Sequence, residues 1–69
     1  MYKVIEDPAY HYEYYMLEKG GVETKLSKEE YEDLYNAFKD GGPNNLIEMK
    51  NGIISSSQIA KLFFLRNKK

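Results

Sequence analysis

The sequence predicts a small α+β domain in which one amphipathic helix packs on an antiparallel sheet of about four to five strands. Three observations support this fold class. Tyrosines alternate along residues 9–17, a capped helical stripe follows at residues 27–41, and an Asn-Gly pair separates two apolar runs near residue 51. The chain is expected to form one domain, residues 1–69, because 69 residues cannot build a second core.

Three strands are predicted before the helix. Residues 2–5 form a first short strand, which Pro8 separates from the next element. A second strand covers residues 9–17, and a glycine-containing turn leads into a third strand at residues 22–26. These segments are rich in tyrosine and β-branched residues, which favour strands.

Successive side chains of the second strand point to opposite faces of a sheet. One face carries Tyr10, Tyr12, Tyr14 and Met16, and the other carries His11, Glu13 and Tyr15. One helix covers only one face, and the more apolar face with Met16 is the expected core wall. We therefore predict that Tyr15, with Glu13 and His11 beside it, contacts a protein partner, because aromatic anchors ringed by polar groups are typical of interface hot spots.

The clearest local pattern predicts a helix that begins after Ser27. Ser27 is an N-cap, and Glu30 three residues later completes a capping box. Leu26 before the cap and Tyr31 in the first turns form a hydrophobic staple. One apolar stripe at helical spacing consists of Tyr31, Leu34, Tyr35 and Phe38. A lysine at position 39 favours the helix dipole, and the glycines and proline at residues 41–43 end the helix.

A β-hairpin and a C-terminal extension are predicted after the helix. Asn51 and Gly52 form its two-residue turn, because both tolerate positive φ. Pairing across that turn brings together Ile47, Met49, Ile54 and Ser56. Residues 58–66 fit either a last helix capped at Ser55 or a strand after a short turn, and the bulky run at residues 62–65 favours the strand. The predicted order is βββ-α-ββ, followed by this extension.

The composition argues against catalytic and metal sites. The chain has no cysteine and one histidine, which excludes disulfides, thiolate zinc sites and histidine-rich metal sites. The serines at residues 55–57 lack the glycine-framed elbow of a nucleophile, and the glycine pairs lack the spacing of a phosphate-binding loop. We therefore expect no enzyme activity, no catalytic residue, no metal and no cofactor.

Charge is unevenly distributed along the chain. Residues 1–60 contain six lysines and eleven acidic residues, a net charge of −5, whereas residues 61–69 carry a net charge of +4. The body therefore has the wrong sign for binding phosphates. The sequence shows no run typical of a signal peptide or a membrane span, so the expected compartment is the cytoplasm, with no membrane partner.

The tyrosine stripe also has a second interpretation, since strand aromatics stack on bases in proteins that bind single-stranded nucleic acid. In that case the residues that contact a nucleotide or nucleic acid are Tyr10, Tyr12, Tyr14, Lys61, Arg66, Lys68 and Lys69. The residues between the tyrosines are not basic, however. A core wall or a subunit interface explains the stripe better.

The stretch from Thr24 onward, TKLSKEEYEDLYNAFKDGG followed by LIEMKNGIISSSQI, resembles small orphan proteins of Gram-positive phages and mobile elements. Those proteins combine a Ser-x-Glu-Glu-Tyr helix with an Asn-Gly hairpin, and the resemblance covers roughly two thirds of the chain. It implies no catalytic residues. It implies a protein that blocks a host or defence protein, or that sequesters a small signalling nucleotide.

Two functions follow as expectations. The first is a non-enzymatic interaction protein, encoded by a phage or mobile element and acting in the host cytoplasm, that binds and inhibits a larger host or defence protein. We expect it to form a homo-oligomer, a dimer or higher, because so small a domain without disulfides or metals is marginally stable. The second function is a ligand binder that sequesters a nucleotide or contacts nucleic acid.

Overall fold

A computed structural model describes residues 2–41, 46–49 and 52–69 of the chain. Its elements are β1 (Tyr10–Glu18), β2 (Glu23–Leu26), α1 (Lys28–Gly41), β3 (Leu46–Met49), β4 (Gly52–Ser55) and β5 (Ile59–Lys68). Within these residues, one α-helix and five strands in two antiparallel sheets confirm the predicted α+β class. The observed order is ββ-α-βββ.

The larger sheet has three strands in the order β2-β1-β5. Both neighbours run antiparallel to the central strand, so Tyr14 of β1 lies opposite Leu26 of β2 and Phe64 of β5. The strands predicted at residues 9–17 and 22–26 are confirmed to within one residue at each end.

The prediction of a first strand at residues 2–5 is wrong. The amide of Tyr2 donates to Oδ1 of Asn36 (2.8 Å), Nδ2 of Asn36 donates to the carbonyl of Tyr2 (3.1 Å), and the amide of Val4 donates to Oε2 of Glu32 (2.6 Å). The ring of Tyr2 stacks on Tyr35 with 3.9 Å between centroids. The segment lies along α1, because helix side chains supply partners for its backbone.

The five strands of the described residues are divided between two sheets instead of the one predicted, because within these residues β3 and β4 pair only with each other. Ile47 lies opposite Ile54, whereas the prediction placed it opposite Ser56. This two-residue slip keeps both isoleucines on the same face. The pairing ends at Ser55 because Ser56 already belongs to a 3₁₀ turn, Ser56–Gln58.

The predicted hairpin turn is only partly visible. Asn51 lies outside the described residues. Gly52 is the first residue of β4, opposite Met49, and has a φ of +140°, which favours glycine. The predicted hairpin therefore exists, but the prediction of Gly52 as a turn residue is wrong, because Gly52 is paired within the strand.

The C-terminal extension is a strand, as the aromatic run favoured, and the alternative of a last helix is wrong. The side chain of Ser55 accepts a hydrogen bond from the amide of Ser57 and caps the 3₁₀ turn. The turn leads into β5, which pairs with β1 along nearly its whole length. Its residues 61–68 lie opposite residues 10–17.

Helix α1 begins as predicted. Oγ of Ser27 accepts a hydrogen bond from the amide of Glu30 (3.1 Å), and the amide of Ser27 donates to Oε1 of Glu30 (3.0 Å). These reciprocal bonds confirm the capping box. Lys39 lies in the last turn, which ends at Gly41; Gly42 and Pro43 lie outside the described residues.

The core lies between α1 and the two sheets. It consists of Tyr14, Met16, Leu26, Tyr31, Leu34, Ile47 and Ile59. In the predicted helical stripe, Tyr31 and Leu34 are buried and Phe38 is half-buried, but Tyr35 is exposed and stacks on Tyr2 instead of the sheet. In the part of the chain that the structure describes, no helix is long and apolar enough to cross a membrane.

Candidate functional site

The two faces of β1 have different environments, as its alternating sequence predicts. On the face toward α1, Tyr14 and Met16 are each 4% exposed and belong to the core. Tyr12 on the same face is half-buried and packs against that core. This face, the inner face, is therefore the predicted core wall.

Hydroxyl groups on the inner face bond to the chain that precedes β1. The hydroxyl of Tyr14 donates to Oε2 of Glu6, and the hydroxyl of Tyr12 accepts a bond from the amide of Asp7 (2.9 Å). Burial raises the pKa of Tyr14 well above its ordinary range, and the bond to Glu6 raises it further. Burial also raises the pKa of Tyr31, whose ring lies 4.9 Å from that of Tyr14. Tyr14 thus has no open ring face for a nucleotide base.

The opposite side of this sheet forms a second surface, which we call the outer face. The residues of this face are identified by the alternation of side chains along each strand and by the pairing registers between strands. Its members are His11, Glu13, Tyr15 and Leu17 of β1, Glu23 and Lys25 of β2, and Lys61, Phe63, Leu65 and Asn67 of β5. Each of them is exposed or half-buried, and none belongs to the core.

An apolar stripe crosses the outer face. The rings of Tyr15 and Phe63 lie opposite each other and stack, with 5.3 Å between centroids and 17° between planes. Leu65, two residues farther along β5, is 50% exposed. Nζ of Lys61 lies 4.9 Å from the centroid of Phe63. The predicted contact residue Tyr15 is thus one half of an aromatic pair.

Sequence reasoning did not assign Phe63 and Leu65 to this surface. Their alternation in β5 gives them a common face, but which β1 residues share it depends on the strand register. That register joins residues nearly fifty positions apart, and no local pattern specifies it. The missing information was the pairing of Tyr15 with Phe63.

The polar groups around the stripe carry both signs of charge. Oε1 of Glu13 lies 3.5 Å from Nζ of Lys25, and both side chains of this ion pair are partly exposed. His11 is exposed near the far end of β1. Because Glu13 is paired within the chain, its charge does not act alone on a partner. The outer face is therefore an aromatic stripe with a mixed polar rim.

The basic residues of the alternative prediction do not form one surface. Lys61 belongs to the outer face, whereas the guanidinium of Arg66 lies over the ring of Tyr10 on the inner side, 4.4 Å from its centroid. Lys68 lies opposite Tyr10, and Lys69 follows it at the end of the chain. Tyr10, Arg66 and Lys68 thus come together at one end of the sheet.

The described residues offer no metal centre, since no three His, Asp or Glu side chains among them come close enough to hold an ion. No protein-family model, curated protein or solved structure matches this chain.

Proposed function

We propose that this chain is a non-enzymatic interaction protein that binds a larger protein through its outer face. The observation that carries the proposal is the stacked pair of Tyr15 and Phe63 on a sheet face that lies outside the core. Contiguous apolar patches on a protein surface often mark interaction sites, and tyrosine is enriched among the residues that carry most of the binding energy of such sites.

The chemistry of the rim bears on the type of partner. A surface with Glu13, Lys25 and Lys61 around an aromatic centre suits a protein surface of mixed charge around an apolar pocket. A phosphate backbone is less suitable, because the acidic body repels it. An inhibitory action on a bacterial host or defence protein rests on the resemblance of the helix and hairpin to small phage proteins.

Replacement of Tyr15 by alanine tests this proposal. We expect Tyr15→Ala to weaken partner binding by about 1–3 kcal/mol, because it removes half of the aromatic pair, while the fold stays intact. Glu13→Lys should act in the same direction, because it places a second cation beside Lys25. Tyr12→Ala should lower stability, because its ring packs against the core.

The measurement combines capture of the partner from a bacterial lysate, affinity for the purified partner, and thermal melting of each variant. Ile53→Ala is the matched control, because Ile53 is apolar and 70% exposed but lies on the hairpin. Equal affinity of wild type and Tyr15→Ala, with both folded, contradicts the proposal. So does a result in which Tyr12→Ala stays stable and loses binding.

A second candidate function, nucleotide binding, is favoured by one specific observation. Arg66 and Lys68 lie beside the half-buried ring of Tyr10, which combines a stacking surface with two cations. Binding at this end of the sheet should weaken steeply as salt rises, whereas binding through the outer face should change much less. Titration of the captured ligand at two salt concentrations separates the two functions.

A further inference from the structure

The long strand β5 has one unpaired edge. It is an outer strand of the three-stranded sheet, and no described residue adds a strand to its other side. It runs for ten residues, Ile59–Lys68, and contains no proline or glycine. An unpaired strand of this length presents a row of main-chain donors and acceptors to another strand.

The hydrogen-bonding pattern shows which residues of β5 face this edge. The amide of Lys69 donates to the carbonyl of Ala9 (3.0 Å), so the residues that bond β1 from β5 are the odd-numbered ones. The amide of Glu18 donates to the carbonyl of Val22 (2.9 Å), which shows that even-numbered residues of β1 bond β2 and agrees with this assignment. Leu62, Phe64 and Arg66 therefore direct their main-chain groups to the open edge.

We propose that a second copy of this chain pairs with β5 along this edge, antiparallel to it, with Phe64 opposite Phe64 of the second copy. In this register Phe63 lies opposite Leu65 of the second copy, and Leu65 lies opposite its Phe63. The most exposed apolar side chains of β5, Phe64 at 46% and Leu65 at 50%, both meet apolar partners. The two sheets join into one sheet of six strands.

The charges of β5 agree with this register. Each cation meets a neutral residue: Lys61 lies opposite Asn67 of the second copy, Arg66 opposite Leu62, and Lys68 opposite Ala60. Like charges directly opposite each other would destabilise the pair. A register centred on Arg66 would have this effect, because it places Arg66 opposite Arg66 of the second copy.

A neighbouring register, with Phe63 opposite its own copy, fits less well. It leaves the exposed Leu65 opposite Lys61, and it carries Lys68 past the start of β5 to Gln58. Gln58 belongs to the 3₁₀ turn, where the backbone is no longer extended. The Phe64-centred register instead pairs residues 60–68 of both copies within the strand.

Helix α1 leaves room for this arrangement. It packs over β1 and β2, and a groove of about 390 Å³ separates its C-terminal half from the start of β5. Tyr35, Phe38 and Leu62 line the groove. An antiparallel pair is related by a two-fold axis perpendicular to the sheet. Both helices therefore lie on the same side, with the two grooves between them.

Single cysteines report the register, because the chain has no cysteine of its own. A residue on the two-fold axis faces itself, at a distance that a disulfide spans. Under mild oxidation, Phe64→Cys should give a covalent dimer, and the matched variant Phe63→Cys should remain mostly unlinked. The double variant Ala60→Cys, Lys68→Cys should also link, through exposed positions that leave the aromatic cluster of Phe64 unchanged.

Sedimentation equilibrium on the unmodified chain gives the non-covalent result, with an expected mass of twice 8.1 kDa. A wild-type mass of 8.1 kDa at about 100 µM overturns the proposal and leaves the edge to a strand of another protein. Faster linking of Phe63→Cys than of Phe64→Cys overturns the register. So does an unlinked double variant. These measurements do not involve Tyr15, so the proposed dimer can be disproved without affecting the proposed binding of a partner through the outer face.

Discussion

Tyr14 combines a ring that is 4% exposed with a hydroxyl that bonds a carboxylate outside the core. The ring packs 4.9 Å from Tyr31 of α1, and the hydroxyl joins the segment before β1 to the sheet. One residue thus connects the sheet, the helix and the N-terminal segment. Tyr15, one position later, points to the outer face, where it stacks on Phe63 of the same sheet and does not belong to the core.

The raised pKa of Tyr14 predicts a loss of stability in alkali. An unfolded chain ionises this tyrosine near its ordinary pKa of 10.0, whereas burial and the bond to Glu6 keep the proton on the folded chain at higher pH. Above pH 10 the unfolded state therefore binds fewer protons, and the free energy of unfolding falls as pH rises. Tyr14→Phe should be less stable at neutral pH, because it loses the bond to Glu6, and should show a shallower alkaline decline.

Urea denaturation from neutral pH to above pH 10 measures both effects. Tyr10→Phe is the matched control, because it removes one hydroxyl from a half-buried ring on the same strand face. The wild-type decline includes a contribution from Tyr31, whose pKa burial also raises, so Tyr14→Phe should reduce the slope without abolishing it. An unchanged slope would show that Tyr14 ionises alike in both states.

At the scale of elements, the helix supplies two kinds of contact. Tyr31 and Leu34 of its apolar stripe pack in the core against the sheet. Its polar side chains Asn36 and Glu32 bond the backbone of residues 2–4. The second role explains why residues 2–5 are not a strand. Their sequence has strand propensity, but side chains of α1 form hydrogen bonds with backbone groups of Tyr2 and Val4 that a neighbouring strand would otherwise bond.

Asn36→Ala should release this N-terminal segment from α1. The substitution removes both hydrogen bonds between Asn36 and the backbone of Tyr2, and we expect a loss of about 1–2 kcal/mol in the free energy of unfolding. The better helix propensity of alanine offsets part of this loss. The decisive measurement is therefore the NMR cross-peak between the rings of Tyr2 and Tyr35, which should weaken.

Asp33→Ala provides the control for this experiment, since Asp33 is an exposed position on the same helix. It gains the same type of helix propensity and should leave the Tyr2–Tyr35 contact unchanged. If the contact survives in Asn36→Ala, the stacking of Tyr2 on Tyr35 and the bond from Val4 to Glu32 hold the segment without the bonds to Asn36.

At the scale of the whole molecule, the sequence predicts those features that depend on residues close together along the chain. The capping box of Ser27 and Glu30, the alternation of β1 and the helical stripe are local patterns. The structure confirms the first two, and it confirms the stripe except at Tyr35, which is exposed. The hairpin register and the partner of Tyr15 depend on contacts between distant segments. A slip of two residues leaves side chains on the same face, so hydrophobic pattern alone does not distinguish the two hairpin registers.

Leu34 lies in the core between α1 and the two sheets, and its replacement tests whether the whole domain depends on this core. Its side chain is 0% exposed in a core that α1 shares with both sheets. A chain of 69 residues has a total stability of about 3–10 kcal/mol, and Leu→Ala in a core costs about 2–5 kcal/mol. Leu34→Ala should therefore remove much of the stability and unfold a large fraction of the molecules.

Urea denaturation followed by circular dichroism at fixed protein concentration measures this loss. Ile53→Ala is the matched control, because Ile53 is apolar but 70% exposed, and it should change the midpoint little. Loss of all secondary structure in one transition would show that the three-stranded sheet and the β3–β4 hairpin depend on the same core. If Leu34→Ala unfolded the hairpin and left the sheet of β1, β2 and β5 intact, Ile47 would not couple the two sheets as the packing indicates.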